Sequence, residues 1–325
     1  MLVITGLLAH ALLIGGPVTR ALAGASWVSR HPQAALRLWH SCALGLLASV
    51  SGALVLAAHD LWEHGMVWLF HADKPLIHAA YGGAWQARGI TEAALLALLL
   101  GMTGLSWTAA RRSLRVRRAR DRHRLTADAQ GSHGRGDDPA VRVLAHAAPA
   151  AFCIPGPPGR SRIVVTTAAQ DLLSPEELAA TLEHERAHLR LRHHRAILTA
   201  DVLTAALGWM GLLRPYAHQV RRLAEMAADD QAARKHGRRT VASALLEMCT
   251  APGTADPAPP GAVAMTGPDP AERIRRLISA PPAVPGRLSR ALTGTAAAVA
   301  LAVPVLVAMA PAVLLANTAH LPGTG

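Results

Sequence analysis

Four apolar stretches limit this chain more than any other feature. Each is close to the roughly 20 residues that a bilayer-crossing helix needs. They lie at 1–19, 38–58, 93–110 and 291–317, and the first three carry no Asp, Glu, Lys or Arg. With 51% hydrophobic and 17% charged residues, the whole chain is too apolar for an ordinary soluble protein or a disordered one. The first stretch reads as a retained helix rather than a secretion signal, because arginine follows it and no basic residue precedes it. Three cysteines, Cys42, Cys153 and Cys249, are too few and too scattered for a disulfide framework or a cysteine zinc site.

Basic residues set the expected orientation. The link between the first two helices holds Arg20, Arg30 and Arg37 and no acid, whereas the link at 59–92 is mixed in charge. The run Arg111 to Arg124 then packs eight arginines and one aspartate directly behind the third helix. Both termini are therefore expected outside, with the segment from Arg111 to Arg290 in the cytoplasm. The arginine run reads as a topology anchor at anionic headgroups. It lacks the aromatic interleaving of a nucleic-acid surface, so no direct nucleic-acid partner is expected.

The expected organisation has three membrane helices and an outer loop at 59–92. A basic segment and linker follow at 111–139, then a folded unit at 140–250. A linker with a short helix occupies 251–290, the fourth helix 291–317 and a short outer tail 318–325. Within 140–250, β-type runs fall at Val141–Ala145, Ala151–Ile154 and Arg162–Thr166. Ser174-Pro175-Glu176-Glu177 starts a helix expected to reach about His194, with an N-cap serine, proline at the first position and a capping-box glutamate. Further helices are expected over Gln219–Lys235 and Thr240–Cys249.

The Ser174 helix contains His184-Glu185-Arg186-Ala187-His188, an H-E-x-x-H. Residues four apart share a helix face, so both imidazoles can reach one zinc ion, and Glu185 can take a proton from a water bound there. A third ligand has two candidates. His194 would need a helix break near Leu191, where related patterns carry glycine. Glu225, in Glu225-Met226-Ala227-Ala228-Asp229, would complete a His₂Glu set, and Asp229 one turn later could orient a liganding histidine. Glu225 is preferred. Tyr216, His218 and His193 are candidates for transition-state support. The apolar run Ala196–Leu213 cannot cross the membrane once, because that would part His188 from Glu225. It is expected to be core, interfacial or re-entrant.

These residues resemble the integral-membrane zinc metallopeptidases of the BlaR/MecR type. The likeness rests on Ala151–Gly156, Arg162–Thr166, Leu173–Leu178, His184–His188 and Glu225–Asp229. HtpX-like enzymes are similar more loosely. The resemblance implies a mainly α membrane protein with a cytoplasmic α+β gluzincin domain inserted before the last helix. It implies Zn²⁺ as cofactor, a protein or peptide substrate, and Arg162–Thr166 as an edge strand that binds extended peptide. The chain ends soon after its fourth helix, without a penicillin-binding sensor domain, so β-lactam sensing is not carried over. The cluster His59, Asp60, Glu63, His64, His71, Asp73 and His78 reads as interfacial, with sensing as the alternative. The resulting reading is a membrane-bound zinc endopeptidase acting on a cytoplasmic or membrane-proximal protein, with a transcriptional repressor in a signalling pathway as one candidate. Membrane-protein quality control and a non-catalytic zinc-binding signalling protein are the alternatives.

Overall fold

A computed structural model of the chain describes residues 2–58, 88–133, 138–251, 263–264, 269–279 and 287–319, with 63, 66–68, 74–75 and 77 between the first two segments. Most of the histidine-rich loop lies outside the described residues.

Four helices are long and apolar enough to cross a membrane. The first, α1 (Leu2–Gly24), contains a π-helical stretch at Ile14–Val18 around Pro17. The short α2 (Ser26–Arg30) leads into α3 (Pro32–Ala57). The third apolar stretch and the arginine run form one continuous helix, α4 (Arg88–Gln130). Within the basic segment and linker expected at 111–139, the helix runs on to Gln130, because residues such as alanine, arginine and leucine let it continue without a break. The fourth apolar helix, numbered α11 below because it comes last, spans Arg287–Ala319. It crosses α3 closely at Gly45, where an added Cβ would lie 2.1 Å from the Ala300 carbonyl oxygen. Only a residue without a side chain permits that approach.

Between α4 and α11 in the chain, the described residues form a five-stranded sheet and six helices. Its strands are β1 (Ser132–His133), β2 (Val141–Leu144), β3 (Ala151–Ile154), β4 (Arg162–Thr166) and β5 (Val263–Ala264), in the order β1-β2-β4-β3-β5. β2 and β4 run parallel and the other pairs antiparallel. This corrects one expectation. β4 is not an edge strand, because β2 and β3 take up both of its sides. The outer edge of β3 pairs with β5 at Phe152 and Cys153.

Alternation along the strands divides the core. Phe152, Ile154 and Val164 face Ala127 near the end of α4. Val141, Cys153 and Ile163 face the opposite way, onto Leu182 and Leu189 of α6 (Pro175–Arg190). The short α5 (Thr167–Leu172) precedes α6. The α6 start is a complete capping box: Ser174 Oγ accepts from the Glu177 N–H, and Glu177 accepts from the Ser174 N–H.

After α6 come α7 (His193–Leu207), α8 (Leu213–His236), α9 (Arg238–Thr250) and α10 (Pro270–Ile278). The turn between α7 and α8 reverses the chain, so the apolar run Ala196–Leu213 is a hairpin rather than a span. Its Ala200, Leu203, Leu212 and Leu213 join one core with Ile14 of α1 and Trp39 of α3. At its tip, an added Cβ on Gly211 would lie 3.1 Å from the carbonyl oxygen of Gly15 in α1. The hairpin thus packs into the membrane-helix bundle. Asp201, its one acid, is held by Arg221 through two bonds of 2.8 Å.

Candidate metal centre

The metal-type cluster forms where α6 and α8 cross. His184 and His188 project from one face of α6, and Glu225 projects from α8. Ligand atoms of all three lie within 4.8 Å of one another, and all three residues are buried. The His184 and His188 Nε2 atoms are 3.1 Å apart. Each lies 3.5 Å from a Glu225 carboxylate oxygen. Ligands about 2.0–2.1 Å from one tetrahedral zinc ion would sit about 3.3 Å from each other. The 3.1 Å between the imidazoles and the 3.5 Å from His184 to Glu225 Oε2 and from His188 to Glu225 Oε1 lie on either side of that value. The chemistry fits as well, since two imidazole lone pairs and a carboxylate converge on one buried point. A cation is the species that makes such convergence favourable.

Glu185 lies beside this point. It is fully buried, and neither of its carboxylate oxygens has a hydrogen-bond partner among the described residues. Burial pushes its carboxyl up to about 8, with the Glu225 charge adding and His184 opposing. Burial alone would lower the His184 imidazolium, but Asp229 and Glu225 outweigh it and raise it to about 9. His188 goes the other way, well below its ordinary value, because of burial and then the neighbouring His184.

Asp229, one turn after Glu225, stands 3.1 Å from the His184 Nδ1, on the ring edge away from the cluster. His194 is not brought into the cluster. The helix does break here, although no glycine is present. α6 ends at Arg190, and Arg192 takes a left-handed conformation with φ 54°. The turn directs His193, rather than His194, back to α6, with its Nδ1 3.0 Å from the Nδ1 of His188. Burial holds His193 down at about 4.

The other candidates lie elsewhere. Tyr216 is buried in the membrane-helix core beside Trp39 and His40. His218 is exposed, 3.6 Å from Asp269. Asp230, next to Asp229, pairs with Arg276 at 2.7 Å.

Sequence reasoning missed Arg273. It lies on α10, in a stretch read as linker and short helix, and its side chain is fully buried against Asp229 and Glu225. No local signal separates it from Arg275 and Arg276 in the same helix.

The sequence model of peptidase family M48 matches residues 116–280. No curated protein and no solved structure matches the chain. The matched segment runs from the arginine-rich end of α4 to the end of α10. It therefore takes in both helices of the cluster, the sheet between and Arg273. Covering just over half of the chain, it places this protein in peptidase family M48, a family of zinc metallopeptidases.

Proposed function

We propose that the chain is a membrane-bound zinc endopeptidase that hydrolyses peptide bonds of a cytoplasmic or membrane-proximal protein. One observation carries this reading. A buried His₂Glu cluster of metal-type geometry has an acid without a hydrogen-bond partner, Glu185, at its side.

In this reading His184, His188 and Glu225 hold the zinc. When bound, the ion supplies Lewis acidity and lowers the pKa of a coordinated water. Glu185 accepts the proton of the attacking water and passes it toward the leaving amine. Burial shields it from solvent, and the donor beside it, the Cys153 thiol, is a weak one, so its oxygens stay available. Asp229 fixes His184 with its proton on Nδ1, so that Nε2 offers a lone pair to the metal. His193 does the same for His188 by accepting from its Nδ1.

The site lies close to the membrane. Leu213 at the hairpin end and Glu225 are twelve residues apart on α8, about 18 Å at 1.5 Å per residue. On α10, Arg276 donates to the Ser29 carbonyl in α2, the link between the first two membrane helices. In this reading the cluster and that arginine-bearing link share a side, and the distribution of basic residues supports a cytoplasmic one. A substrate strand added at β3 must take or share the edge at Phe152 and Cys153 now paired with β5. A transcriptional repressor as substrate rests on the BlaR/MecR resemblance alone.

The test compares new protein N-termini in cells carrying wild type and Glu185→Gln. One cut specific to wild type in a DNA-binding protein supports a signalling peptidase. Cuts across many membrane proteins support quality control. Identical N-termini, with zinc bound in both, refute the enzyme reading.

A further inference from the structure

We infer that Arg273 is a positioning residue of the zinc site, holding the Glu225 and Asp229 carboxylates in their working orientation from a separate helix. The inference rests on the zinc reading above.

The contacts are specific. Arg273 Nε and Nη2 donate to the two Asp229 oxygens at 2.8 and 2.7 Å, and Nη1 lies 3.1 Å from Glu225 Oε2. One planar guanidinium therefore spans both acidic residues, an arrangement a lysine ammonium cannot reproduce. A carboxylate has about four lone-pair sites. Glu225 can thus meet Arg273 on one and the metal on another. Asp229 in turn faces His184, so Arg273 bears on two of the three ligands, one directly and one through Asp229.

Charge points the same way. Glu185, Glu225 and Asp229 are three buried carboxylates, and Arg273 is the buried guanidinium beside them. With zinc bound, His184 neutral and all three carboxylates ionised, Arg273 leaves two negative charges, which the divalent cation balances. Without Arg273 the balance fails, and a buried unbalanced charge is costly.

The helix that carries Arg273 is itself tied down. Arg222 of α8 bonds Glu272, and Arg276 reaches Asp230 as well as the Ser29 carbonyl. These ties provide a control. Arg222→Met cuts one of them without touching the cluster.

The experiment uses the full-length protein in detergent. Zinc affinity is measured by chelator competition for wild type, Arg273→Met, Arg273→Lys and Arg222→Met. The visible spectrum of each cobalt-loaded form is recorded alongside. Arg273→Met is expected to lose roughly 10- to 100-fold in zinc affinity, the usual effect of removing a residue that orients a metal ligand. Arg273→Lys should recover part of that loss and shift the cobalt spectrum, while Arg222→Met stays near wild type in both readouts. If Arg273→Met does not fold, Arg273→Lys against Arg222→Met decides. Wild-type affinity in the Arg273 variants overturns the inference, as does an equal loss in Arg222→Met, which would reduce Arg273 to helix docking. Wild type that takes up no zinc would instead refute the zinc reading itself.

Discussion

Replacing Asp229 with asparagine tests the site at its most constrained point. The side chain is fully buried between His184 Nδ1 at 3.1 Å and two Arg273 nitrogens at 2.7 and 2.8 Å. Asparagine keeps the shape but has one oxygen and one NH₂ group. With the oxygen toward Arg273, the NH₂ group faces His184 Nδ1 and turns that atom into an acceptor. The ring proton then moves to Nε2, where the metal needs a lone pair. With the oxygen toward His184, the NH₂ group opposes the guanidinium. Breaking a buried pair costs about 3–5 kcal/mol. Here the remaining Glu225 contact places the loss for the metal-free protein near the lower figure, about 3 kcal/mol. Zinc affinity should fall a further 10- to 100-fold, or about 1.4–2.8 kcal/mol. Thermal unfolding with and without zinc, alongside chelator competition, measures both. A variant with wild-type zinc affinity and a stability loss below about 0.5 kcal/mol, the range of ordinary surface changes, would refute the reasoning.

Two further predictions concern the same site and a third the packing of the apolar helices. Glu225→Ala should abolish stoichiometric zinc while His194→Ala retains it, read by metal analysis of purified protein; the opposite result would exchange the third ligand. His184 binds its proton more tightly in the folded metal-free state, up to about 9 against an ordinary 6.5, so its stabilising contribution is complete below 6.5 and lost as pH rises through 9. Zinc requires the neutral ring, so zinc affinity should rise across that window with release of a proton, and a pH-independent affinity would contradict this. Gly45→Ala places a methyl group against the Ala300 backbone and should cost about 1–3 kcal/mol in detergent unfolding assays, whereas Gly104→Ala, with open space around it, should be nearly neutral.

The features legible in the sequence were the local ones. Four apolar segments announced four helices, because a bilayer-length run has no other stable backbone arrangement in lipid. Ser174-Pro175-Glu176-Glu177 marked the start of α6, since each cap contact spans three residues. His184 and His188 shared a face because four residues make just over one turn. Glu225 and Asp229 were found the same way, as a pair one turn apart on a second helix.

Tertiary structure decided the rest. Arg162–Thr166 reads as a strand from its composition, but whether it lies at an edge depends on which strands pair beside it, and β2 and β3 enclose it. The stretch Ala196–Leu213 has the hydropathy of a span, yet its partners in α1 and α3 make it a hairpin. The helix expected to reach about His194 ends at Arg190, and left-handed Arg192 sets His193 against His188. Arg273 reached the cluster from 44 residues beyond Asp229. Helical periodicity and capping act over three or four residues and can be read along the chain. Strand order, hairpin packing and the balance of buried charge depend on residues brought together only once the chain has folded.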